Sequence, residues 1–141
     1  MKKRKRNSKN ILKDFNTQEP HISLIAYKED DYLEIAFKDF EQINYYLETY
    51  KVVWLNIDCC NDIETVENVG KIFGFHRLAL EDVVNTDQRT KIEHYDNYQF
   101  IVTRMLVPLE IIETEQLSIF FGSNYIITFQ DKPGDTLEYL R

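Results

Sequence analysis

Apolar and polar positions along the chain follow two different periods. From Ile22 to Tyr27 and from Tyr32 to Phe37, β-branched and aromatic residues form two short runs separated by Lys28-Glu29-Asp30-Asp31, the pattern of a β-hairpin with a charged connection. That connection holds neither Gly nor Asn, so it singles out no turn type. The period then lengthens. Phe40, Ile43, Tyr46 or Leu47, and Tyr50 recur at three- and four-residue steps behind Asp39, which predicts a capped helix over 40–50 with one buried face. Val52-Val53-Trp54-Leu55-Asn56-Ile57 is short and largely apolar, the profile of a central strand covered on both faces. After it, Asn61 with Glu64 three positions on reads as a capping-box start. The helix so begun carries Ile63, Val66, Val69, Ile72 and Phe73 inward and closes at Gly74. A second short helix holds Leu78, Ala79, Leu80, Val83 and Val84 and ends in the polar residues from Asn85 to Arg89.

The last third returns to strand-like runs at Lys91 to His94, Gln99 to Val107, Leu117 to Phe121 and Tyr125 to Gln130. They are joined by Asp96-Asn97 between Tyr95 and Tyr98, by an acidic loop from Pro108 to Glu115, and by Gly122-Ser123-Asn124, which predicts an antiparallel meander. Strands on either side of a helical middle give a mixed parallel and antiparallel sheet flanked by helices, a layered α/β or α+β domain. Residues 1–20 lack sustained periodicity and end at Pro20, so they read as a basic flexible arm. Residues 21–141 form one domain without an internal repeat.

Composition narrows the class. With 141 residues, 43% hydrophobic and 29% charged, the chain suits one self-supporting core and neither a collagen-like nor a disordered architecture. Its apolar stretches, such as Val52 to Leu55 and Phe100 to Val102, fall far short of the roughly 18–20 residues of a membrane-spanning helix. Ile11 and Leu12 are followed at once by Lys13 and Asp14, so the basic arm has no secretory apolar region. The net charge of -7 is unevenly spread: residues 1–9 hold six bases and no acid, leaving 11 bases against 24 acids in the rest. An acidic body repels nucleic-acid phosphates and concentrates cations, so no nucleic-acid partner is expected. The basic arm alone could touch an anionic lipid or a nucleic acid. Cys59 and Cys60 are adjacent, which strains any bridge between them and points to reduced thiols in a cytosolic compartment.

The chain lacks GxSxG, Walker, GxGxxG, HExxH and EF-hand patterns, so hydrolase and nucleotide chemistry start without support. His21, His76 and His94 are too scattered for a metal triad, and His76 reads as a turn residue satisfying helix-end carbonyls. The carboxylates carry more. Glu64 and Glu67 share a helix face, where negative charge near a helix start complements the dipole. Glu81 and Asp82 sit side by side on the short helix. Magnesium takes oxygen ligands, keeps several waters and needs only one or two carboxylates from protein. Neighbouring helical positions diverge by about 100°, so spacing alone makes this pair a solvated acidic edge whose members face different neighbours.

From Trp54 to Leu106 the sequence resembles the CorA-type magnesium and cobalt transporters. The resemblance rests on Trp54-Leu55-Asn56-Ile57, Gly70-Lys71-Ile72-Phe73-Gly74-Phe75-His76, Leu78-Ala79-Leu80-Glu81-Asp82-Val83-Val84-Asn85, Gln88-Arg89, Lys91-Ile92-Glu93 and Tyr98-Gln99-Phe100-Ile101-Val102. A weaker match runs through Glu115-Gln116-Leu117-Ser118 and Asn124 to Gln130, up to Gly134-Asp135, so that roughly residues 22–141 are covered. Thr90 stands where the family often has proline. The resemblance implies an α/β/α sandwich on the cytoplasmic face of the cell membrane, followed in the whole protein by a stalk helix and two transmembrane helices. It also implies that this chain is a piece of a longer protein. Family resemblance further implies a homopentamer in which magnesium, with cobalt as a second ion, binds between neighbouring domains and holds the pore closed. It assigns metal contact to Asp82 first and Glu81 second, with the completing carboxylate on the next subunit's stalk. No catalytic residue is implied, and the domain is not expected to be an enzyme. The isolated domain then holds half a site and is expected to bind magnesium weakly. A zinc transporter of the same architecture is the near alternative. A carboxylate-dependent metal hydrolase, which would need acids converging on an open metal position, and an adaptor docked on lipid by its basic arm are the distant ones.

Overall fold

Ile22–Lys28 and Asp31–Ala36 form the predicted hairpin, β1 and β2, in register from Ser23 opposite Ala36 to Lys28 opposite Asp31. The computed structural model describes residues 19–58, 62–107, 112–134 and 136–140. The basic arm up to residue 18, Cys59, Cys60, Asn61 and the middle of the acidic connection lie outside the described residues. Asp39 caps the next element as expected, its Oδ1 accepting from the Glu41 N–H at 3.0 Å. The first turn, Phe40–Gln42, is 3-10, and the α-helix proper, α1, runs Ile43–Thr49. Strand β3, Val52–Ile57, pairs antiparallel with β1 on one side.

Helix α2, Ile63–Phe73, is flanked by Asp62, whose Oδ2 accepts from the Thr65 hydroxyl at 2.5 Å. It ends at Gly74 with φ 70°, a left-handed cap that glycine adopts without a Cβ clash. Helix α3, Arg77–Val84, follows. The apolar stripe of α2 is narrower than its sequence suggests. Val66, Val69 and Gly70 are buried, while Ile63 and Ile72 are 55% and 37% exposed. Gly70 explains this, because a Cβ there would lie 2.2 Å from Leu80 Cδ1. Helix α3 thus closes on the Gly70 side of α2, and Ile72 is left to line a groove with Phe40, Ile43, Asn44 and Asn68 of the α1 region. Leu78 is also exposed, since α3 buries Ala79 and Val83.

Strands β4, Lys91–His94, β5, Gln99–Val107, β6, Glu113–Phe121, and β7, Tyr125–Gln130, form the predicted meander. Strand β6 begins four residues before its apolar run. Glu113 to Gln116 show no hydrophobic signal, yet they pair with Val107 to Arg104 because β5 is long enough to supply backbone partners. Spatial order in the seven-stranded sheet is β2-β1-β3-β7-β6-β5-β4, and β3–β7 is its parallel pair, joining the N-terminal ribbon to the meander. This is the mixed-sheet α/β class read from the sequence. Leu24, Ala26, Val53, Leu55, Ile57, Phe100, Val102, Phe120, Ile127 and Phe129 make the sheet's share of one core with Ile43, Val66, Val69, Ala79 and Val83 of the helices. The three described helices therefore cover one face.

The other face is polar at its centre and still buried. Trp54 Nε1 donates to Thr128 Oγ1 at 2.9 Å, and Asn56 Oδ1 accepts from Thr128 Oγ1 at 2.7 Å and Gln130 Nε2 at 3.0 Å. Beyond β7 the chain is held by carboxylates. Asp58 accepts from the N–H groups of His21 at 2.7 Å and Gly134 at 3.2 Å, and Glu115 accepts from the Lys132 N–H at 2.8 Å. Burial pushes the Glu115 carboxyl up, with nearby Asp131 and Asp58 adding to the effect and the Lys132 N–H opposing it. A raised acid favours folding at low pH, where it is protonated in both states, and that contribution is lost as pH climbs through the folded-state value. Glu115→Gln keeps the acceptor and removes the charge. The variant should melt roughly 2–5 °C above the parent at pH 7 and lose that advantage near pH 4; equal melting temperatures at both pH values would contradict the buried-charge account.

Candidate functional site

The two acids singled out by sequence sit at the C-terminal half of α3 and diverge, as the 100° rotation between neighbours requires. Glu81 points outward, where Arg77 Nε meets its Oε1 at 3.0 Å across one helical turn. Both side chains are more than half exposed, so this pair contributes little to stability. Asp82 turns toward β4. Its Oδ2 takes Lys91 Nζ at 2.5 Å, and the two side chains are 22% and 29% exposed.

Several elements place Asp82 there. The last carbonyls of a helix lack intrahelical partners, and the buried side chain of Gln116, reaching up from β6, donates to the Asp82 carbonyl at 2.9 Å while accepting from the Gln88 N–H at 3.1 Å. Arg104 of β5 donates to the carbonyls of Thr86 at 3.1 Å and Gln88 at 3.4 Å. The α3–β4 connection is thus pinned to the sheet along its length. At the other end of α3, His76 Nδ1 accepts from the Leu78 N–H at 3.2 Å. It caps a helix start, not the helix-end carbonyls expected, because Gly74 has already closed α2 and His76 precedes α3.

Lys91 and Glu93 alternate on the helix-facing side of β4, and Lys91 Nζ bridges Asp82 to Glu93 Oε1 at 2.9 Å. Glu93 Oε2 accepts from the Tyr95 hydroxyl at 3.1 Å. The Tyr95 ring stacks on Tyr98 at 4.7 Å, and Tyr98 OH accepts from the His76 N–H at 2.8 Å. The expected aromatic turn is present, with the Tyr95 N–H on the Tyr98 carbonyl at 2.9 Å. Hydrogen bonds from Asp82 and Glu93 raise the Lys91 ammonium, the bond from Lys91 holds the Glu93 carboxyl low, and burial, aided by Glu93, pushes Tyr95 up to about 12. All three shifts favour one arrangement: a charged lysine between two carboxylates, bounded by a protonated tyrosine.

His21, His76 and His94 are not brought together, and among the described residues no group of three His, Cys, Asp or Glu side chains is placed to hold a metal ion. Carboxylate oxygen is the hard donor magnesium takes, so Asp82 fits one position of a water-rich shell. Glu81 and Asp82 do not form a chelate. The sequence reading missed Lys91, Glu93 and Tyr95. Their signal was present: a Lys-x-Glu alternation turns both charges toward the helices, and a lysine there needs an acid from the helix above.

A mixed seven-stranded sheet under one layer of helices, with cross-paired charges at its rim, defines an α/β domain whose surface chemistry is ionic. Comparison with known proteins agrees with that class. The family model described as CorA-like Mg2+ transporter protein matches residues 49–141, and the chain belongs to that family. It is 33% identical over 123 residues to the cobalt/magnesium transport protein CorA of Thermotoga maritima, a match covering 85% of this chain and 35% of that protein. The soluble domain of CorA from Methanocaldococcus jannaschii shares the fold with a TM-score of 0.57 at 18% identity, over 77% of this chain and 39% of that one. The full-length CmaX protein does so with a TM-score of 0.62 at 12% identity, over 85% and 37%. The chain therefore spans little more than a third of the length of each. Among the described residues no helix is long and apolar enough to cross a membrane.

Proposed function

We propose that this domain is the magnesium-sensing, gate-regulating part of a CorA-like divalent-cation transporter, placed on the cytoplasmic face of the membrane and assembled there as a homopentamer. The supporting observation is the position of Asp82: a carboxylate at the helix–sheet rim, braced through Gln116 and still partly open to solvent. Family membership supplies the ion class, magnesium with cobalt second. Asp82 is the primary contact. Glu81, exposed and turned away, is an auxiliary one that adds negative potential. Each chain offers part of a shell, completed by water and by acids of a neighbouring subunit, so the ion favours the arrangement in which subunits are held together. The domain has no catalytic role in this reading, and nucleic acid is not a partner.

The test is limited proteolysis of the assembled transporter that carries this domain, with magnesium varied. Asp82→Ala should move half-protection to at least about threefold higher magnesium, within the range of ordinary coupling energies, and Glu81→Ala should move it less. If the wild type responds and neither variant shifts, the ions act elsewhere.

A further inference from the structure

We propose that Lys91 is a tethered counter-ion that occupies the Asp82 carboxylate when no divalent ion is bound, so that the domain's ion threshold is set by competition with this ammonium. The proposal rests on the reading of Asp82 as an ion contact, and adds Glu93 as the seat to which Lys91 withdraws.

Lys91 Nζ lies within hydrogen-bonding distance of both carboxylates, 2.5 Å from Asp82 Oδ2 and 2.9 Å from Glu93 Oε1. Without it, two acids from different elements would face one gap and repel, so the gap is a seat for positive charge that the chain fills itself. The seat is under-filled: two carboxylates and one ammonium leave a net charge of about −1, which still attracts a cation. A hydrated divalent ion that takes Asp82 removes one of the two acceptors of Lys91. The other remains, because Glu93 is two residues away on the same strand and is fixed from its far side by the Tyr95 hydroxyl at 3.1 Å. The Phe100 ring, 5.8 Å from Nζ, also stays with the withdrawn lysine. Displacement is therefore a short shift between two acceptors, not the expulsion of an ammonium into solvent. Arg77, which pairs with Glu81, stands at 88% exposure on the other side of the helix and is screened by water, so it competes far less. Among the charges on Glu81 and Asp82, the one on Lys91 sets the threshold.

The test is a magnesium chloride titration of the 141-residue chain at pH 7.5 and constant ionic strength, read from the backbone amide shifts of residues 81–93, with sodium chloride as the control for screening. Lys91→Met, which keeps the length of the side chain and loses its charge, should lower the magnesium midpoint about tenfold, in line with removal of one unit charge at contact distance. Lys91→Arg should stay near the wild type. Glu93→Gln, which leaves Lys91 with Asp82 as its one carboxylate, should raise the midpoint, and it keeps the proposal falsifiable if Lys91→Met fails to fold. A Lys91→Met midpoint equal to or above that of the wild type, or a Glu93→Gln midpoint below it, overturns the counter-ion. A response at residues 81–93 that Asp82→Ala leaves intact overturns the ion reading of Asp82, and the counter-ion with it. Loss of the response in Asp82→Ala without a gain in Lys91→Met overturns the counter-ion alone.

Discussion

Phe120→Ala is expected to cost about 3–5 kcal/mol of folding stability, the range for removing a fully buried aromatic ring. Phe120 is completely buried on the helix-facing side of β6. It lies at the crossing of two aromatic rows: the Phe75 ring is stacked on it at 3.9 Å, Phe100 is at 4.7 Å, Tyr98 at 5.7 Å, and Phe129 meets it edge-on at 6.0 Å. Phe75 belongs to the short connection between α2 and α3, so the same ring that fills the core also seats both helices. Collapse cannot refill the space cheaply, because its neighbours are aromatic rings, two of them, Phe75 and Tyr98, packed against each other at 4.8 Å. A domain of this size has about 5–15 kcal/mol in hand, so the variant should lose a large part of its urea midpoint with little change in slope. Phe121→Ala, one residue on and 49% exposed, is the control and should stay within about 0.5 kcal/mol. Equal losses at the two positions would mean that the core does not centre on Phe120.

Asn56→Leu should cost about 2–4 kcal/mol for a different reason. The side chain it replaces is 1% exposed, and its Oδ1 accepts from both the Thr128 hydroxyl and the Gln130 amide. Leucine matches the size but not the chemistry. Each donor stripped of its acceptor in a buried place costs about 1–3 kcal/mol, and the apolar gain offsets only part of that. A double-mutant cycle with Thr128→Val should show a coupling of about 0.5–3 kcal/mol. Additive losses in urea denaturation would show that the two side chains do not depend on each other.

These two sites also mark how far the chain could be read without its structure. Apolar periodicity located the seven strands and the helices, because strands with a buried helix-facing row and helices with one apolar stripe carry their period in plain form. It fails where strands carry polar residues. Glu113 to Gln116 continue β6 through backbone pairing with β5, which leaves no hydrophobic trace, and Asn56 carries no sign that it would meet Thr128 and Gln130 across a parallel pair. Period alone turns Ile63 and Ile72 inward, yet both are exposed. Whether a stripe is three or five residues wide depends on how closely the next helix approaches, and here Gly70 decided it. At the rim, helical rotation separated Glu81 from Asp82 correctly, while the partner of Asp82 lay across a connection whose path only the Gln116 and Arg104 hydrogen bonds define. The sequence puts His76 at the right junction, but the helix end that it caps is the start of α3.

The parallel pairing of β3 with β7 has a kinetic consequence. Every other neighbouring pair in the sheet except β1 with β3 joins strands consecutive in sequence, and even those two are separated only by β2 and α1. Each antiparallel ribbon can form from local encounters. The seam cannot: Trp54 and Thr128, which meet across it, are 74 residues apart, and closing a loop of that length costs about 4 kcal/mol of chain entropy before any contact repays it. Folding thus resembles the docking of two preformed halves, with α2 and α3, encoded between them, as the tether that keeps each half within reach of the other.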